Sequence, residues 1–220
     1  MPAQAPTYRP TWLVILSSLM LLAGGYSLVA GLMKLRDPAT VLMVGASDAA
    51  GSEADMELNR QLNLARTTAI GPHRTALKVE SVAEIAIALF TLYATAAVFS
   101  RDKRGRALSL AVGGLGILYQ LSVLPIYLSL TRDYATRGAG LLATSIIRTV
   151  GETQSDLTPE QITARLHSAI VSGPIVAAGV GVAGSLLLLV FFGGRRGQIL
   201  YGLRKPPQTD RRREPREAGQ

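Results

Sequence analysis

The stretch ALSLAVGGLGILYQLSVLPIYLSLT, Ala107 to Thr131, runs for 25 residues without an Asp, Glu, Lys or Arg. A helix needs about 20 apolar residues to cross the roughly 30 Å hydrocarbon core of a bilayer, so this stretch alone is long enough. Three further windows have the same character. Trp12–Met33 and Ala169–Gly194 carry no charge, and Ser81–Ser100 carries only Glu84. The four windows make up about two-fifths of the 220 residues yet hold one of the 23 basic and 15 acidic side chains. A soluble domain of this length could not bury four such helices in its own core. The pattern predicts an all-α polytopic membrane protein with four transmembrane helices, at about 12–33, 81–100, 107–131 and 169–194. Two long loops, 34–80 and 132–168, are left between them.

The remaining composition fits that reading. Charged residues are 17% of the chain and the mean hydropathy is +0.28, yet the net charge is +8. Disorder is excluded by the apolar content. The lack of cysteine excludes a disulfide scaffold, cysteine-based zinc and iron–sulfur sites, and cysteine nucleophiles. The basic residues are distributed unevenly. The N-terminus, the 101–106 linker and the tail beyond residue 194 hold thirteen basic residues against four acids, a surplus of +9, and all else nets −1. Lys and Arg gather on the cytoplasmic side. Both termini are therefore expected in the cytoplasm and both long loops outside, with Lys34 and Arg36 dissenting for the first span alone. The alanine-, arginine- and glycine-rich composition fits a bacterial inner (plasma) membrane. The positive charge signals threading and implies no nucleic-acid partner, because no basic stripe with interleaved aromatics is present.

Only Arg9 precedes the first apolar window, which at 22 residues (Trp12–Met33) exceeds a signal-peptide core and is followed by Lys34-Leu35-Arg36-Asp37-Pro38. It is expected to remain as a membrane helix rather than be cleaved. Residues 1–11 form a short cytoplasmic N-terminus. The tail 195–220, with Pro206, Pro207 and Pro215 among mixed charges, is expected to be disordered and to meet anionic lipid headgroups.

Each long loop is predicted to be a helical-hairpin arm. Ser52-x-x-Asp55 resembles a capping box, and Leu58, Leu62, Ala65 and Ala69 follow at helical spacing. Gly71-Pro72 breaks that helix, with Pro72 expected in the first turn of the next, about 28 residues or 42 Å long. In the second loop Leu142, Ile146 and Val150 form a short stripe, and Gly151–Asp156 is turn-like. Thr158-Pro159-Glu160-Gln161 is a helix start, after which Ile162, Leu166 and Ile170 share a face. The stripes are expected to pack on one another above the membrane.

Within the spans, Gly173, Ala177, Gly181 and Ser185 recur at four-residue steps, and Gly113, Gly116 and Gln120 share a face of the third span. Small residues at this spacing let helices approach closely, so these are helix-packing positions, and Gly173-Pro174 is expected to kink the fourth span. Glu84, Gln120, Thr91 and Thr95 are the intramembrane polar candidates, since ionisable groups in lipid are functional by default. The competing structural explanation pairs Glu84 with Lys78 or Arg132. Tyr119, Tyr127 and Trp12 read as interface anchors or packing residues. His73, Glu80 and His167 are external polar candidates. No HExxH, GxSxG, Walker or dinucleotide motif occurs, so no catalytic, cofactor or metal residue is assigned and no enzyme is expected.

The run Ala30-Gly31-Leu32-Met33-Lys34-Leu35-Arg36-Asp37-Pro38, within Leu22–Pro38, resembles the end of the first helix in DoxX-like four-helix membrane proteins. The match covers less than a tenth of the chain, and the long loops depart from that family, so no residue role is carried over. The resemblance implies a redox accessory subunit. The residues themselves favour a non-enzymatic scaffold, accessory or sensory protein acting through its external helices, with a membrane-protein partner or a homo-oligomer. The alternative is a small transporter or channel subunit using Glu84 and Gln120.

Overall fold

The computed structural model describes residues 11–42, 53–100, 102, 104–150 and 158–201. These are helical, without a strand among them: α1 (Thr11–Arg36), a 3-10 turn (Pro38–Leu42), α2 (Glu53–Ile70), a second 3-10 turn (Gly71–His73), α3 (Arg74–Phe99), α4 (Gly105–Val150), α5 (Pro159–Gly193) and the short α6 (Arg195–Leu200). Four of the helical stretches are long and apolar enough to cross a membrane. Ser52, the 151–156 turn, Arg9 and the tail beyond residue 201 lie outside the described residues.

The four long helices form a row. α1 packs along α3, α3 on α4, and α4 along α5 in the most extended seam of the molecule. α1 and α5 share no comparable seam. They meet at the α6 end, where the Trp12 and Phe191 rings stack with centroids 5.9 Å apart. Leu13, Leu16, Met20, Ala94, Val98, Val112, Leu188 and Phe192 fill that end as one apolar cluster.

Small side chains set the α1–α3 approach. Ser17, Gly24 and Gly31 are buried on α1 at every seventh position, and Ser81, Ala88 and Thr95 are buried at the same spacing on α3, which packs along it. A Cβ on Gly31 would lie 2.8 Å from Ile85 Cγ1 and 3.3 Å from the Ser81 carbonyl. The buried hydroxyls cost little here, because each bonds back into its own helix. Ser81 donates to the Leu77 carbonyl at 2.7 Å, Thr91 to Ile87 at 2.8 Å and Thr95 to Thr91 at 2.7 Å.

The second loop is built on the spans themselves. α4 continues unbroken through Arg132 to Val150, 46 residues or about 69 Å, and α5 starts at Pro159. The arm is thus the continuation of two long helices. Thr158 caps α5 as expected: its Oγ1 accepts from Gln161 N at 3.3 Å, and Gln161 Oε1 accepts from Thr158 N at 3.1 Å. Pro72 lies within the 3-10 turn Gly71–His73 rather than in the first turn of α3, which is 26 residues long. α5 runs through Pro174 without a break in its helical assignment.

α2 lies against α4 and the first 3-10 turn. Leu58, Leu62, Ala65 and Ala69 are buried with Leu42, Leu77, Leu130, Tyr134 and Leu142, and Leu166 and Ile170 of α5 pack against them. Ile146 is more exposed than the stripe predicted, at 39%. Arg148–Asp55 (3.5 Å) and His73–Asp133 (3.4 Å) tie α4 to the start and the end of the α2 segment. The result is an apolar layer over the end of the bundle opposite Trp12.

Candidate functional site

A cavity of about 530 Å³ lies beneath that layer, in the gap where α1 and α5 fail to meet. Its walls are Tyr26, Val29, Ala30, Met33 and Lys34 of α1, Thr40 and Val41 of the 3-10 turn, Glu80 and Glu84 of α3, positions between Tyr119 and Tyr127 of α4, and Pro174, Ala177 and Ala178 of α5.

One wall carries a connected polar cluster. Glu80 and Glu84 are one helical turn apart on α3 and so point the same way. Lys34 lies one turn beyond Gly31, which sits against Ser81 and Ile85 of α3, and reaches both carboxylates. Its Nζ is 2.8 Å from Glu80 Oε1 and also contacts Glu84 Oε2. It donates a third bond to the Tyr127 hydroxyl at 3.1 Å. Tyr119 donates its hydroxyl proton to Glu80 Oε1. The side chains are 13%, 2% and 14% exposed for Lys34, Glu80 and Glu84, so the charges interact with little screening. Glu80 Oε2 is buried without a hydrogen-bond partner. Two carboxylates thus face one ammonium, and one carboxylate oxygen has an unused lone-pair side.

Glu84 therefore pairs with Lys34, not with Lys78 or Arg132, both of which are exposed. Tyr119 and Tyr127 are hydrogen-bonding members of the cluster rather than interface anchors. Glu80 belongs to the same group as Glu84, whereas His73 pairs with Asp133, and His167 sits on α5 with Glu160 and Thr163 around a shallow surface depression. Among the described residues no group of His, Asp and Glu is arranged to hold a metal ion. Thr91 and Thr95 face the α1–α3 seam, where their hydroxyls are used locally.

Gln120 does line the cavity, and its position is set by the α4–α5 seam. A Cβ on Gly181 would lie 2.6 Å from Gln120 Cδ, one on Gly116 2.3 Å from Ser185 Oγ, and one on Gly113 2.9 Å from the Ser185 carbonyl. In this antiparallel register Leu124 and Tyr127 come opposite Ala177 and Pro174, where the small α5 side chains leave the space open. A Cβ on Gly173 would meet nothing within 4 Å, so no close approach there requires a glycine.

Lys34 is hidden in the sequence by its place at the edge of a charge-free window, where it reads as the first loop residue. The Ser17-Gly24-Gly31 and Ser81-Ala88-Thr95 repeats are the signal that pairs α1 with α3 and brings Lys34 to Glu80 and Glu84. No family model, curated protein or solved structure matches this chain.

Proposed function

We propose that this chain is an integral membrane protein that binds a small ligand in the cavity between α1, α3, α4 and α5, in an accessory or sensory role without catalysis. The observation that carries this reading is the buried Lys34–Glu80–Glu84–Tyr119–Tyr127 cluster on the wall of a cavity. Buried charges are costly, and pure packing would be served more cheaply by apolar side chains. The volume lies within the roughly 300–1,000 Å³ of ordinary ligand sites.

Membrane placement is supported by the outward faces. Leu22, Tyr26, Val180 and Val190 are 69%, 77%, 70% and 68% exposed, an apolar belt that lipid would cover. The distribution of basic residues supports cytoplasmic termini in a bacterial inner membrane, with α2 and the cavity on the outer side. The Trp12–Phe191 end then closes the cavity toward the cytoplasm, which favours binding over conduction. The α2 stripe is already buried within the chain, which leaves the scaffold reading without its main docking face.

The test uses the cysteine-free background. The thiol introduced by Ala177→Cys should react with a small thiol reagent in proteoliposomes, and Ala177→Trp should fill the site. An unreactive Ala177→Cys variant removes the cavity from the argument. If Glu80→Gln and Glu84→Gln preserve every phenotype of the intact gene while changes in 53–70 abolish them, the external helices are the working part instead.

A further inference from the structure

We infer that the ligand is a monocationic amphiphile, an apolar body bearing one protonated amine, and that it reaches the cavity sideways from the lipid between α1 and α5. This rests on the cavity-binding reading above and names the ligand class.

The charge inventory comes first. Among the lining residues the ionic side chains are Lys34, Glu80 and Glu84, so the ionised site has one negative charge in excess. An ammonium ligand would balance it. A second anion would double the imbalance at short range in a poorly screened setting.

The hydrogen-bond inventory points the same way. Glu80 Oε2 is an acceptor, is buried in a side chain 2% exposed, and has no donor. Lys34 is spent on Glu80 Oε1, Glu84 and Tyr127, and Tyr119 on Glu80 Oε1. A protonated amine offers such an acceptor an N–H donor with positive charge, which a quaternary ammonium does not.

The rest of the wall selects the body of the ligand. Val29, Met33, Val123, Leu124 and Ala178 make up much of the apolar lining. The route follows from the helix row. α1 and α5 are joined at Trp12–Phe191 but share no extended seam. The flanks of the gap, Tyr26 and Val29 on α1 and Ala177 on α5, line the cavity and are exposed, Tyr26 and Val29 at 77% and 57%. An apolar molecule dissolved in the bilayer meets these flanks first.

The experiment measures binding to the full chain in phosphatidylcholine nanodiscs by titration calorimetry, with empty nanodiscs subtracted. The probes are 1-adamantylamine, its neutral isostere 1-adamantanol and the anion 1-adamantanecarboxylate. The inference expects saturable amine binding at one per chain, with the alcohol about tenfold weaker or more and the carboxylate without binding. Glu84→Gln leaves Lys34 balanced by Glu80 alone, so it should fold with an unchanged unfolding midpoint yet lose amine affinity by about tenfold or more. Ala177→Trp should abolish binding of all three probes. Equal affinity for amine and alcohol, or no loss in Glu84→Gln, overturns the ligand class while leaving a cavity that binds. No amine binding, with the Ala177→Cys thiol still reactive, overturns the ligand class as well. Disulfide cross-linking between two chains that both carry Ala177→Cys overturns it by showing that a second copy fills the gap. An Ala177→Cys variant that neither reacts nor cross-links overturns the cavity reading with it.

Discussion

Lys34 is the residue on which the site depends. It satisfies two carboxylates and a tyrosine hydroxyl from the last turn of α1, where a cation is also favoured by the helix dipole. Replacing it by methionine leaves two carboxylates facing each other in a wall that is almost dry. Lys34→Met should therefore destabilise the chain by about 3 kcal/mol in denaturant titrations in mixed micelles. Adding Glu80→Gln and Glu84→Gln should recover most of that loss, because the repulsion has gone. A triple variant as unstable as the single one would show that the loss was packing and not charge. Thr91 and Thr95 make the contrasting case. Their hydroxyls close on their own helix, so Thr91→Val and Thr95→Val should each shift stability by less than about 1 kcal/mol in the same assay.

Among the elements, α4 and α5 show how tightly a seam can be specified by residues that are hardly there. Ser185 occupies the space a Gly116 side chain would need. Gly116→Ile should cost about 2 kcal/mol or more, while Gly173→Ala, which meets open space, should stay within about 0.5 kcal/mol of the parent. Thr158→Ala removes half of a reciprocal cap and should cost about 1 kcal/mol, read as a lower unfolding midpoint. This seam was legible in the sequence because lipid forces apolar continuity and close approach forces small residues at four-residue steps. The α5 cap was legible because its hydrogen bonds lie within four residues. The polar cluster was only half legible. Glu84 stood out in a charge-free run, but Lys34 and Glu80 meet across 46 residues of chain, and no local pattern encodes that contact. A lysine at a window edge is easily assigned to water, since its long stem lets the ammonium sit about a turn from its own backbone. At Gly173 the regular small-residue step runs on to a position where a side chain would meet open space, so the spacing alone does not mark where the seam ends.

For the whole molecule, the threading proposal predicts labelling from one side only. The parent contains no cysteine, so single cysteines at 55, 103 and 155 can be introduced without competing thiols. An impermeant maleimide added to intact cells should modify positions 55 and 155, and position 103 only after the membrane is opened. Modification of 103 in intact cells, with 55 and 155 protected, would invert the molecule and place the cavity in the inner leaflet. The threading proposal rests on the uneven placement of arginine, and this labelling pattern tests it directly.

The contact between Lys34 and Glu80 also imposes an order in time. Synthesis delivers the ammonium 46 residues before its first counter-ion. During that interval the nascent α1 holds a cation at the bilayer boundary, where the lysine stem can lift it into the headgroups. The arrival of α3 supplies both carboxylates at once, and α1 can then settle against it along Ser17, Gly24 and Gly31. Nascent chains stalled before Glu80 has left the ribosome should therefore hold α1 shallowly and extractably, and chains stalled after α3 has emerged should hold it firmly. That outcome would give the ion pair of the cavity wall an earlier use, as the latch of a biosynthetic intermediate.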